Sequence, residues 1–232
     1  MRELSIKDNL AIVRQQLSLA AIKSGRSPKE IILIDVSKKK PTAMINEAIL
    51  ANHTAFGENM IQEAINKMSA FNNFDNIEWH MIGHLQKNKV KFCPGNFHWI
   101  HSIDSTELAK KLEERCATKQ QNINVLIQVN LSQEKSKFGV QKLSELYQLA
   151  EKLHVGHWIK LRGLMTIPEP DLGETSTRKI FEKVRIWKEQ LRDEFGAPEI
   201  NELSMGMTAD FKWAIQEGAT MIRLGSANFG PR

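Results

Sequence analysis

Eight short apolar runs, each closed by polar or glycine residues and followed by a helical stretch, constrain this chain more than any other feature. They are IILIDVS (31–37), HTAFGE (53–58), EWHMIG (78–83), WIHSID (99–104), NVLIQVN (124–130), LRGLMTIP (161–168), ELSMGM (202–207) and TMIRLGS (220–226). Helical patterns separate them, for example 42–51, 107–116, 143–154 and 179–195. Repeated strand-then-helix units imply a parallel sheet with helices outside. Eight such units close into a (β/α)8 TIM barrel. Before the first unit, residues 4–24 read as an extra N-terminal amphipathic helix. Its Leu10, Ile12, Val13, Leu17 and Ala20 recur at helical spacing, and Gly25 supplies the stop. An open doubly wound sheet is the structural alternative. No GxGxxG follows a strand, so a dinucleotide site is unsupported. No linker or low-complexity tract divides the chain, which reads as one barrel domain over 1–232.

Composition narrows the function classes. Hydrophobic residues make up 41% and charged residues 25%, which argues for a packed core rather than disorder. The net charge of +5 suits a small anionic ligand as well as nucleic acid. No arginine-rich or aromatic-interleaved stretch supports RNA, so no nucleic acid is expected. Cys93 and Cys116 form no CxxC and read as reduced thiols of a cytoplasmic protein. The first residues lack the apolar segment of a signal peptide, and no run approaches a membrane span.

Barrel active sites lie at the C-terminal ends of the strands. In order, those ends offer Lys38, then Glu58 and Asn59, then His80 with the loop residues His84, Gln86 and Asn88. Lys135 and Lys137 follow the fifth strand, and Met165 and Thr166 end the sixth. Ser204 and Gly206 end the seventh, and Arg223, Gly225 and Ser226 the eighth. Closure makes the eighth strand neighbour the first, which sets Lys38 and Arg223 at one rim. Glycines let backbone N–H groups approach a phosphate, and hydroxyls add donors. Ser204, Gly206, Gly225 and Ser226 therefore read as a phosphate cup. An aldehyde-reactive lysine beside such a cup meets the minimal requirement for pyridoxal 5'-phosphate.

Each candidate has a bland competitor. Lys38 opens the run Lys38-Lys39-Lys40, and lysine runs are usually solvated. However, the alternation Ile32, Ile34, Val36 continues to Lys38 on one face. Lys40 precedes Pro41 and is expected to face water. Arg223 competes with a surface ion pair. As a permanent donor it would keep a pyridine nitrogen unprotonated. His80 and His84 have an HxxxH spacing, but the segment is strand-like and no third ligand accompanies it. Gly225 and Gly230 match the ends of a P-loop, yet Pro231-Arg232 replaces its Lys-Ser/Thr pair. Glu58 is expected to orient its neighbours.

The chain resembles the YggS/PROSC family of pyridoxal phosphate homeostasis proteins, whose barrel is like the N-terminal part of alanine racemase. The matching motifs are VSKKKP (36–41), FGENMIQE (56–63), HMIGHLQKNK (80–89), SKFG (136–139), RGLMTIP (162–168), LSMGMTAD (203–210) and IRLGSANFG (222–230). They run in order over nearly the whole chain. The resemblance implies Lys38 as the cofactor lysine. It also implies Ser204, Gly225 and Ser226 around the phosphate, Arg223 near the pyridine nitrogen and Asn59 near the ring. Family members carry and release the cofactor and influence vitamin B6 and amino-acid balance, without established turnover. Recipients of the cofactor would be pyridoxal-phosphate-dependent apo-enzymes. Lys39, Met60 and Ser226 depart from the family pattern without removing a proposed contact.

The alternative is an amino-acid racemase-like enzyme. Two-base racemisation needs an acid and a base on opposite faces of the substrate. Related racemases take a tyrosine from a second domain of a partner subunit. Here the one tyrosine, Tyr147, falls within the helical pattern LSELYQLA. A carrier is therefore expected, and a monomer. A barrel binding another phosphorylated metabolite without a covalent link, and an RNA-binding module, complete the alternatives.

Overall fold

The structure, a computed structural model, describes residues 4–71, 76–131 and 138–230. Eight strands pair in parallel and in chain order: β1 (Ile32–Val36), β2 (Ala55–Glu58), β3 (Glu78–Met81), β4 (Trp99–Ile103), β5 (Ile123–Val129), β6 (Ile159–Thr166), β7 (Glu202–Ser204) and β8 (Met221–Leu224). Pairing of β1 with β8, from Ile32 opposite Met221 to Asp35 opposite Leu224, closes the barrel. The expected (β/α)8 architecture is thus the one observed. The strands are shorter than the apolar runs; the seventh stops at Ser204, three residues before the run ends.

Alternate residues divide between two cores. Ile34 (β1), Ala55 (β2), Leu126 (β5), Met165 (β6) and Met221 (β8) form a small buried cluster inside the barrel. Their neighbours along each strand, such as Leu33, Phe56 and Ile222, join the larger core between sheet and helices. That is the two-residue period of a strand buried on both faces.

The outer layer is uneven. Helices α2 (Thr42–Leu50) and α3 (Ile61–Met68) follow β1 and β2. Helices α4 (Thr106–Lys119), α5 (Leu143–His154), α6 (Gly173–Phe195) and α7 (Phe211–Gln216) follow β4 to β7. Between β3 and β4 the helix expected of a full repeat is replaced by one 3₁₀ turn, Val90–Phe92. Pro94 and Gly95, the latter at φ 83°, end it. Proline cannot continue a helix, and glycine takes the left-handed turn. After β8, α8 (Ser226–Phe229) is a single turn.

The N-terminal helix α1 (Ile6–Lys23) compensates by packing against α2, α7 and α8. Its start is fixed by a capping box between Ser5 and Asp8, and Gly25 follows its end at φ 70°. Leu10, Val13, Leu17 and Ala20 face inward as expected, but Ile12 is 41% exposed. Arg26 Nη1 then donates to the carbonyls of Ile215 (3.2 Å) and Ala219 (2.7 Å), tying the entry of β1 to the α7–β8 turn. No described helix is long and apolar enough to cross a membrane.

Candidate functional site

Ile32 and Ile34 point into the barrel, and two more alternations bring the chain to Lys38 in the turn after β1. Lys38 is half-buried and borders two cavities. One, of about 330 Å³, is lined by Val36, Lys38, Lys40, Met207, Thr208, Arg223, Gly225, Ser226 and Gly230. The other, of about 580 Å³, lies across β2 and β3 and includes Asn59, Met81, His84 and Lys89. Barrel closure therefore does set Lys38, in the turn after β1, and Arg223, on the adjacent β8, on one cavity.

Local backbone builds the smaller cavity. Gly206 sits at φ 95°, and a Cβ there would stand 2.6 Å from the Cβ of Ala214 and 2.9 Å from the Cα of Phe211. Only glycine lets the chain turn from β7 directly onto α7. Gly225 packs against Val36, where a Cβ would lie 3.2 Å from the carbonyl oxygen. These turns bring the hydroxyls of Thr208 and Ser226 within 3.3 Å of each other at the mouth. Thr208 is a residue that sequence reasoning missed. The apolar run was read to Met207, so Thr208 fell just beyond the supposed strand end.

Arg223 is only 4% exposed, which excludes a surface ion pair. Its Nη1 donates to Ser204 Oγ at 2.6 Å and its Nη2 to the Thr166 carbonyl at 2.9 Å. Burial pushes its pKa down to about 10, still leaving it cationic at neutral pH. Ser204 is fully buried beneath it and does not line the cavity; its side chain meets Arg223 and His101 instead of the mouth. Lys40 does not face water as expected: its Nζ donates to the carbonyls of Phe229 (2.9 Å) and Gly230 (3.1 Å), satisfying the end of α8.

Beside β1, Lys67 is locked. Its Nζ donates to Glu58 Oε1, Glu63 Oε1 and the Ser37 carbonyl, each at 2.7 Å. Ser37 Oγ also donates to Glu58 Oε1 at 2.6 Å, and Glu63 accepts from the Lys39 N–H. Glu58 thus orients its neighbours, as expected. Burial raises its pKa, and the bonds from Lys67 and Ser37 oppose that shift. The assembly fixes the backbone on both sides of Lys38. Asn59 follows on the β2 rim, and its Oδ1 is buried with no hydrogen-bond partner. A buried orphan acceptor of this kind is rare unless a ligand or water completes it.

His80 and His84 part company. His80 points into the barrel and meets His101, with Nδ1 and Nε2 3.0 Å apart. His84 stacks on Phe138, with ring centroids 3.5 Å apart. Among the described residues, no group of three His, Cys, Asp or Glu could hold a metal ion. Lys135 and Lys137 lie outside the described residues.

A closed parallel barrel with Lys38 beside a small rim cavity that carries hydroxyls and a buried guanidinium defines a (β/α)8 barrel built to hold a small anionic ligand. The family model for the N-terminal domain of alanine racemase matches residues 36–232. The chain is 41% identical to the pyridoxal phosphate homeostasis protein of Escherichia coli K12 over 229 residues, 98% of this chain and 97% of the relative. It is 42% identical to the protein of that name from Vibrio alginolyticus, over 98% of each. PipY of Synechococcus elongatus PCC7942, solved with pyridoxal phosphate bound, superposes with a TM-score of 0.87 at 34% identity, over 97% of this chain and all of that one. Clostridium difficile alanine racemase shares the fold, with a TM-score of 0.73 at 16% identity, and this chain spans 57% of its length. The chain belongs to the pyridoxal phosphate homeostasis family, within the wider alanine racemase N-terminal domain family.

Proposed function

We propose that this chain binds pyridoxal 5'-phosphate as a Schiff base on Lys38 and acts in vitamin B6 homeostasis, holding the cofactor and releasing it to apo-enzymes. The observation that carries this reading is the position of Lys38 between the two cavities. On one side stand Arg223, Thr208, Gly225 and Ser226; on the other stands Asn59 with its unsatisfied oxygen. The PipY complex adds a relative of similar length with this cofactor bound.

In this reading the Gly225 backbone and the hydroxyls of Thr208 and Ser226 grip the phosphate. Ser204 acts indirectly, by holding Arg223. The guanidinium donates to the pyridine nitrogen and, having no acidic proton to give at neutral pH, leaves it unprotonated. When bound, the cofactor supplies an aldehyde that an amine can capture, but a ring facing arginine is a weaker electron sink than one paired with a carboxylate. Such a site favours holding over turnover. Tyr147 gives no support to a two-base racemase, because it lies on α5 packed against the main core. Two free, buried cysteines fit a reducing, cytoplasmic setting. We read the carrier as a monomer without nucleic-acid partners.

The test is a titration of the purified protein with pyridoxal phosphate, followed by gel filtration. The parent should emerge yellow with about one cofactor per chain, and Lys38→Ala should emerge colourless with residual phosphate-driven affinity. Equal colour in both proteins contradicts the assignment.

A further inference from the structure

Inside the barrel, interleaved with the apolar cluster, four polar side chains from four strands form a continuous thread. Arg223 Nη1 (β8) donates to Ser204 Oγ (β7) at 2.6 Å. Ser204 Oγ lies 2.8 Å from His101 Nδ1 (β4). His101 Nε2 lies 3.0 Å from His80 Nδ1 (β3). Arg223 is 4% exposed and the other three are fully buried. We infer that His101 and His80 are positioning residues for Arg223, forming a one-way hydrogen-bond thread that fixes the guanidinium from beneath the cofactor site. The inference rests on the proposed contact between Arg223 and the pyridine ring.

The direction follows from counting hydrogens. Guanidinium only donates, so Ser204 Oγ accepts. The one hydroxyl proton of Ser204 finds its acceptor in His101 Nδ1, which leaves the His101 proton on Nε2. That proton is donated to His80 Nδ1, so His80 carries its own proton on Nε2. There the thread stops: Glu78 Oε2 is 3.7 Å away, too far for a hydrogen bond, and His80 Nε2 has no hydrogen-bond partner among the described residues. Reversing the Ser204–His101 link would leave the Ser204 hydroxyl proton without an acceptor in the thread.

The surroundings keep the thread neutral. His101 is faced by Trp99 on its own strand, His80 from β3, Ser204 from β7 and the Arg223 cation from β8. His80 is faced by Glu78 on its own strand, by the stacked ring of Trp99 and by His98 and His101. Burial, with neighbouring positive charge from Arg223, disfavours protonation of His101. The nearby carboxylate of Glu78 opposes but does not overcome burial at His80. The charge within the thread is then that of Arg223, which also feels the half-buried Asp210 carboxylate, at an angle set by Ser204 and the Thr166 carbonyl.

A purely structural role would require only that His101 fill its space. His101→Leu keeps much of the volume but removes the acceptor, whereas His101→Asn restores an acceptor near the position of Nδ1. The first arm uses the cofactor-free protein labelled with ¹⁵N at histidine. His80 and His101 should both be neutral at neutral pH and carry their proton on Nε2. A proton on Nδ1 of either ring at neutral pH overturns the thread.

The second arm measures pyridoxal phosphate affinity and the position of its visible band. His101→Leu should bind roughly tenfold more weakly with a shifted band, and His101→Asn should recover toward the parent. If Arg223→Lys alters affinity and band while His101→Leu leaves both unchanged, the positioning role is overturned and the ring contact stands. If both variants leave them unchanged, the ring contact has failed and the inference falls with it.

Discussion

The barrel interior divides by chemistry rather than by side into two halves that interleave in the sheet, with Ser204 between Met165 and Met221. Ile34, Ala55, Leu126, Met165 and Met221 make a dry cluster that excludes water and specifies no direction. His80, His101, Ser204 and Arg223 make a thread in which every hydrogen has an assigned place except the last. Apolar packing tolerates substitution in proportion to lost volume, while a polar chain fails link by link. Stability should therefore reside in the first half and ligand geometry in the second.

The largest effect is expected just outside both halves, at Lys67→Met. The change strands the fully buried Glu58 without its cation, and breaking such a pair costs about 3–5 kcal/mol. Denaturant unfolding measures it; a loss below about 1 kcal/mol would show that Glu58 simply takes up a proton. In the dry half, Leu126→Ala should cost about 3 kcal/mol by emptying a fully buried position, with cofactor affinity unchanged in the folded fraction. Should Leu126→Ala weaken binding at intact fold, the division between halves does not hold.

A third test concerns buried charge on the outer face of β1. Burial pushes Asp35 up to about 7 and His53 down to about 4, with His53 Nε2 3.5 Å from Asp35 Oδ2. A carboxyl raised in the fold gives stability that is full below its unfolded value and is lost as pH rises toward 7. A histidine depressed in the fold gives stability that is full above its unfolded value and is lost as pH falls toward 4. Between about pH 4 and 6.5 the two slopes oppose. Asp35→Asn should expose the histidine slope, so that acidification from pH 6.5 to 4 costs roughly 2–3 kcal/mol more than in the parent. Parallel stability curves for parent and variant would refute the opposition.

The smallest change in stability is expected in the thread, where Ser204→Ala should cost about 1–2 kcal/mol yet weaken cofactor binding by leaving Arg223 unsupported. Calorimetry beside a binding titration separates the two quantities. Destabilisation as large as that of Leu126→Ala, at unchanged affinity, would make Ser204 part of the packing rather than the site.

The barrel was legible because strand parity repeats: Ile32 and Ile34 face inward, and the same count delivers Lys38 to the rim. The missing helix between β3 and β4 was hidden because the strand-then-helix repeat implies one after every strand, while Pro94-Gly95 ends this segment after one 3₁₀ turn. Lys40 looked solvated because its acceptors, the carbonyls of Phe229 and Gly230, lie at the far end of the chain. The thread was invisible for a similar reason. Histidines at positions 80 and 101 sit in strands otherwise read by apolar pattern, and only closure of the sheet joins them to Ser204 and Arg223. Ser204 was grouped with the phosphate cup because residue type and strand end suggest a donor, whereas its depth below the cavity is a property of barrel geometry.

Borohydride reduction of the cofactor-loaded protein, followed by peptide mapping, addresses the central assignment most directly. The account expects the reduced pyridoxyl group on Lys38, within the peptide that follows β1. Recovery of the label on Lys39 or Lys135 alone, or of no covalent label from a yellow protein, would contradict it.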